Sequence, residues 1–248
     1  MFKMIYNIAR TELQMLFYSP VAWLILVVFG VQSGMLFADQ LAGLVSAQEM
    51  GYDIQGSTIS IFANRWGGVF TTMQNYLYFY IPLLTMSLVS KELSSGSIRL
   101  LYSSPITNTQ IIVGKFFSMM IYGLIMIGIL FLITLCSWAI VKDFELSMVL
   151  TGLLGLYLLI CAYAAIGIFM SSLTSYQIVA AIGTFAVLMV LSMIGGWWQD
   201  YDFIRDVTYW LSMPGRSGKF IAGLICSEDV LYFVIVVCLF LALTIIRL

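Results

Sequence analysis

Six long apolar runs divide the chain, at about residues 21–38, 69–90, 116–141, 147–172, 177–197 and 229–247. Each approaches the roughly 20 residues that a helix needs to cross a hydrocarbon core. Each is also too long and too poor in charge for a soluble strand. A bilayer leaves the edge of an open sheet without hydrogen-bond partners, so the pattern predicts six transmembrane helices in an all-α, polytopic fold. An even number of spans returns both ends of the chain to one side. Residues 1–248 then form a single transmembrane domain.

A different period precedes the first run. At 100° per residue, Lys3, Asn7, Arg10 and Gln14 share one narrow polar stripe, and Met1, Phe2, Ile5, Ile8, Ala9, Leu13 and Leu16 fall opposite. That pattern predicts an interface helix over residues 1–19, lying in the membrane surface with Arg10 toward the cytosol. Pro20 marks the corner into the first span. This is not the layout of a cleaved signal peptide. Glu12 interrupts the apolar face and needs either water at the helix end or a partner, such as Arg99 or another protein.

The connections are unequal. Residues 142–146 and 172–176 are tight turns, whereas 39–68 and 198–228 are long. The stretch 198–228 combines Trp198, Tyr201, Phe203, Tyr209 and Trp210 with acids, which suits the interfacial belt. It predicts short re-entrant or interfacial helices before the sixth span, with Pro214–Gly215 as a break.

Composition narrows the chemistry. With 62% hydrophobic and 9% charged residues, the chain belongs in lipid. It has no histidine, which excludes histidine-based triads, proton shuttles and the usual zinc or haem ligation. The four cysteines form no CxxC pair, so no metal site, catalytic residue or cofactor site is expected. A net charge of −1 offers no basis for binding nucleic acid. The Gly-Lys pairs at 114–115 and 218–219 lack the other residues of a phosphate loop, so any ATP must be bound and hydrolysed by another chain.

Orientation follows from Lys and Arg in the connections. Lys3, Arg10, Lys91, Arg99, Lys115 and Arg247 fall on one side, and Arg65, Lys142, Arg205, Arg216 and Lys219 on the other. Direct flanking of spans by Lys91 and Lys115 favours the first side as cytoplasmic, in a multi-pass protein of the inner membrane. No charge falls within the middle of a span, which argues against an ion-coupled carrier. Neutral polar residues do occur there. Gln74, Asn75, Tyr76, Tyr78 and Tyr80 are candidates for a translocation path, although interhelical hydrogen bonds and packing account for them as well. Gly123, Gly128, Gly152, Gly155, Ala165 and Gly167 would allow close approach of helices.

The remaining connection, 91–115, is a dense polar block in an apolar chain. A short helix over about 92–102 would carry Glu92, Leu93, Ser97, Arg99, Leu100 and Leu101, bounded by Pro105. A link between two spans could be far shorter, so the block has the length and chemistry of a cytoplasmic docking element.

Here the chain resembles the membrane subunits of ABC-2 type ABC transporters. Those permeases carry E-x-x-x-G-[ST]-x-x-x-L-x-[ST]-x-P-[IV] after the second span and a Gly-Lys at the third. The matching residues are Glu92, Gly96, Ser97, Leu101, Ser103/Ser104, Pro105, Ile106 and Gly114–Lys115. The interface helix with its glutamate, the six spans and the outer loop extend the resemblance over the whole chain. It implies a separate ABC ATPase subunit, a second permease chain in a homo- or heterodimer, and a membrane-lipid environment. It also implies that residues 91–115 form a coupling loop, with Glu92 and Arg99 as charge contacts, Gly96 for close backbone approach and Leu100/Leu101 as an apolar anchor. PLLTMSLVSKE and the ending SEDVLYFVIVVCLFLALTIIRL resemble the gliding-motility subgroup most. The function implied is the permease half of an ATP-driven exporter. A non-transporting scaffold for a motility or secretion machine would share every one of these features.

Overall fold

The computed structural model describes residues 2–51, 57–64, 67–96, 107–140, 144–193 and 212–248. Among these residues every element is a helix. In order they are α1 (Phe2–Tyr18), α2 (Pro20–Glu49), α3 (Ser57–Phe62), α4 (Val69–Thr85) and α5 (Ser90–Ser95). There follow α6 (Asn108–Ile140), α7 (Leu146–Leu173), α8 (Gln177–Met193), α9 (Met213–Ile221) and α10 (Ser227–Arg247).

Among the described residues each of the six apolar runs is mainly helix, but the helices differ in reach. Four helices, α2, α6, α7 and α10, are long and apolar enough to cross a membrane. The other two, α4 and α8, have 17 described residues each, a rise of about 25 Å against a hydrocarbon core of about 30 Å. In the opposite direction, α2 has 30 residues where about 18 were expected, a length of about 45 Å. Its last turns therefore extend past a bilayer's apolar core, and part of the expected 39–68 loop is helix.

α7 is the hub. It packs on α4, α5, α6, α8, α9 and α10, and most of its side chains are buried from end to end. A helix apolar all round belongs inside. In lipid, apolar area alone gives helices no reason to associate, so close packing must do so. The glycines of α7 supply it. A Cβ at Gly155 would lie 2.3 Å from Cβ of Phe220, and one at Gly167 would lie 2.2 Å from Oγ1 of Thr85. Gly128, expected to act likewise, has no neighbour within 4 Å of a built Cβ.

The bundle has two distinct ends. At one end stand α1, α5, the start of α6, the 172–176 turn and Arg247–Leu248. At the other, Thr58 Oγ1 accepts a hydrogen bond from the Glu145 N–H, Phe62 meets Phe144, and Gly223 lies against Met148. Pro214 occupies the first turn of α9 rather than breaking a helix, because its missing N–H is harmless there. α9 is not an exposed interfacial helix. Met213, Arg216, Ser217, Phe220 and Ile221 are all buried, mainly against α7.

Candidate functional site: a buried charge triad at one end of the bundle

α1 has the predicted amphipathic division. Lys3, Asn7, Arg10 and Gln14 are exposed, while Ala9, Glu12 and Leu16 are buried. Its apolar face, however, is covered by protein. Ile8 sits on Gly114, Glu12 on Lys115 and Phe17 on Tyr122. These pairs advance in the same direction along both helices, so α1 runs beside the first turns of α6 instead of presenting that face to lipid. Gly114 permits the approach: a Cβ there would lie 2.7 Å from Cγ2 of Ile8. Ser19 is extended, as the residue before a proline should be, and Pro20 opens α2.

α6 begins at Asn108, about two turns before its apolar run. This brings Lys115 into the helix and buries it at 2% side-chain exposure. Its Nζ donates to Oε1 of Glu12 at 2.6 Å and to Oε1 of Glu92 at 2.7 Å. The partner of Glu12 among the described residues is thus Lys115; Arg99, the partner expected from sequence, lies outside the described residues. Glu12 is 10% exposed and Glu92 21%. One ammonium therefore joins three segments that are separate in sequence: α1, α5 and α6.

α5 is held for this contact. The chain leaves α4 at Thr85 and turns through Met86–Val89. Ser171 of α7 accepts hydrogen bonds at Oγ from the N–H groups of Val89 and Ser90, and donates to the Met86 carbonyl. Of the helix expected over 92–102, residues 97–102 lie outside the described residues, and the described part begins earlier than expected. It spans Ser90–Ser95 and ends at Gly96, whose φ of 68° is left-handed, a C-terminal stop that glycine adopts without penalty. Ser97, Arg99, Leu100, Leu101 and Pro105 lie outside the described residues.

Burial pushes the Glu12 carboxyl above its ordinary 4.5, and the Lys115 ammonium only partly offsets this. Burying an ion pair costs several kcal/mol per charge unless its geometry is good. Two short bonds to one ammonium meet that condition.

The triad forms one wall of an open cleft of about 450 Å³. Val21 and Ala22 of α2, Leu83 and Leu84 of α4, and Gln177 at the start of α8 form other parts of it. The cleft therefore lies where three apolar helices begin or end.

The five path candidates do not line one wall. Gln74 is buried and donates from Nε2 to the Pro214 carbonyl. Tyr80 is buried, with its hydroxyl donating to Oε1 of Gln32. Tyr78 packs with Phe79 and Phe185, whereas Asn75 and Tyr76 are exposed on another face of α4.

A second buried ion pair was not foreseen. Arg216 Nη1 donates to Asp229 Oδ1 at 2.5 Å, and both side chains are at most 3% exposed. The guanidinium lies 4.3 Å from the centre of the Tyr232 ring, and Lys219 Nζ is 3.6 Å from Asp229 Oδ2. In sequence Arg216 sits in a polar connection and Asp229 at the first position of the sixth apolar run, and both look solvated. The available signal was the apolar neighbours of Arg216 at helical spacing, Met213 and Phe220.

The profile described as ABC-2 family transporter protein matches residues 6–199. The chain belongs to that family. As an ABC-2 family chain it is a membrane component of a transporter, and membership implies an ABC ATPase partner. No curated protein matches the chain. The matched region contains Glu12, Glu92 and Lys115 together with their supporting Ser171, whereas the Arg216–Asp229 pair lies beyond it.

Proposed function

We propose that the chain is the permease half of an ATP-driven exporter in the cytoplasmic membrane. In this reading all six apolar helices span the bilayer, and the triad end faces the cytosol. A second permease chain, identical or not, completes the transmembrane pathway. Closure of two ATPase subunits would press on residues 91–115, with Glu92, Gly96, Ser97, Arg99, Leu100, Leu101 and Pro105 at or near the contact. The carrying observation is the shared ammonium of Lys115, because it ties the segment after α4 to both α1 and α6. A displacement of α5 would reach two further helices through charge contacts that are buried and little screened by salt. The resemblance of PLLTMSLVSKE to the gliding-motility permeases supports that subgroup.

The test is co-purification with the partner ATPase. Glu92→Lys combined with Leu101→Asp should abolish the complex, and an undiminished complex would refute docking at this loop. ATP hydrolysis by the complex that rises when a translocated molecule is supplied supports transport. Hydrolysis indifferent to every exported candidate, in a complex still needed for assembly of a larger machine, favours the scaffold reading.

A further inference from the structure

We propose that the cleft beside the triad is a binding site for the headgroup of an aminophospholipid. The inference goes beyond the transport reading and does not depend on it, since binding is measured without ATP.

The level of the cleft is marked by side chains. Tyr18 is 87% exposed and Trp23 55%, at the junction of α1 and α2, and Tyr176 is 73% exposed immediately before α8. Exposed Trp and Tyr at the ends of apolar helices lie at the headgroup region of a bilayer. The cleft opens among those same helix ends, so a lipid is the molecule present there at the highest local concentration.

Its lining is divided as an amphiphile is divided. Leu16, Val21, Leu83, Leu84 and Leu88 form an apolar side, with Val21 and Leu83 exposed and continuous with the lipid-facing surface of α2 and α4. The polar side holds Glu12, Glu92, Lys115 and Lys91. Lys115 meets only Oε1 of each carboxylate. Among the described residues neither Glu12 nor Glu92 has another hydrogen-bond partner, so the second oxygen of each remains to accept one. Both residues border the cleft.

A primary ammonium supplies N–H donors for these oxygens and balances the second carboxylate charge. Exposed Lys91, on the turn of helix next to Glu92, supplies a cation for the adjoining phosphate. A headgroup with ammonium and phosphate therefore fits the charge order of the cleft. A choline headgroup lacks the N–H donors, and a glycerol headgroup lacks the cation.

The test uses the full chain in nanodiscs doped with a diazirine-acyl phosphatidylethanolamine, with phosphatidylglycerol and phosphatidylcholine analogues of the same chain length as comparators. Phosphatidylethanolamine should label peptides containing Met15–Ala22 and Leu83–Leu88, and unlabelled phosphatidylethanolamine should compete. Glu92→Gln should lower this labelling about tenfold, the effect of losing a charge-assisted contact. Leu83→Trp, which fills the cleft from an exposed position and leaves the triad intact, should lower it similarly. Equal labelling by the phosphatidylglycerol analogue, or labelling unchanged in both variants, overturns the proposal. Labelling that disappears when the partner ATPase binds, with no effect of unlabelled phosphatidylethanolamine, assigns the cleft to a basic side chain of that protein and also overturns it.

Discussion

Removing the ammonium of Lys115 is the sharpest perturbation the fold offers. Both Oε1 atoms contact one Nζ at 2.6 and 2.7 Å, so they lie at most about 5 Å apart. In Lys115→Met the two carboxylates would face each other across that gap. At an effective dielectric constant near 20 their repulsion is about 3 kcal/mol, and breaking a buried ion pair from one side typically costs about 3–5 kcal/mol. Thermal unfolding in detergent, followed by tryptophan fluorescence, should show a loss of roughly 6–20 °C at pH 8, taking about 2–4 °C per kcal/mol for a chain of this size. The loss should shrink on acidification. A carboxyl whose folded pKa is raised holds its proton more tightly in the fold. Its contribution is present below its ordinary 4.5 and is lost as pH rises through the raised value. Protonating Glu12 on acidification therefore relieves the repulsion, and Glu12→Gln added to Lys115→Met should recover most of the stability at pH 8. A melting temperature for Lys115→Met within 2 °C of the parent (an order-of-magnitude bound from the same scaling), or no recovery in the double variant, would refute the account of the triad.

Three further outcomes are expected. Gly167→Ala places a Cβ 2.2 Å from Thr85 Oγ1, so α4 and α7 must separate; thermal unfolding should show a loss of about 1–3 kcal/mol, whereas Gly128→Ala, with open space around it, should be nearly neutral. Arg216→Met leaves Asp229 buried without its shortest partner and should cost about 3–5 kcal/mol, with part returned by Arg216→Met/Asp229→Leu; equal stability of the two variants would count against a buried pair. In a cysteine-free background, Met50→Cys, at the exposed residue that caps the end of α2, should react with an impermeant maleimide in intact cells, and Ser95→Cys should not. The reverse pattern would invert the topology.

Much of this protein follows from its sequence through local rules. Six apolar runs, too long for strands and without charge in their middles, dictate helices because a bilayer satisfies no stray backbone group. The period of Lys3, Asn7, Arg10 and Gln14 defines the exposed face of α1, and Pro20 defines its end. Glu12 can be recognised as a carboxylate in need of a partner, since nothing on its own face of the helix could supply one. The identity of that partner is not local. Lys115 reads as a topogenic charge at the edge of a span, and it becomes a buried bridge only because α6 starts at Asn108 and Gly114 admits α1. The apolar face of α1 looks suited to lipid and is covered by α6, because periodicity specifies a face but not what covers it. Arg216 and Asp229 carry the same lesson: their burial depends on α9 folding back against α7, at a spacing of chain that no repeat of 3.6 residues encodes. Sequence alone thus determined which segments form apolar helices and which charges needed an explanation. Tertiary structure decided the pairing of those charges, because buried ionic contacts depend on distances between helices that lie far apart in the chain.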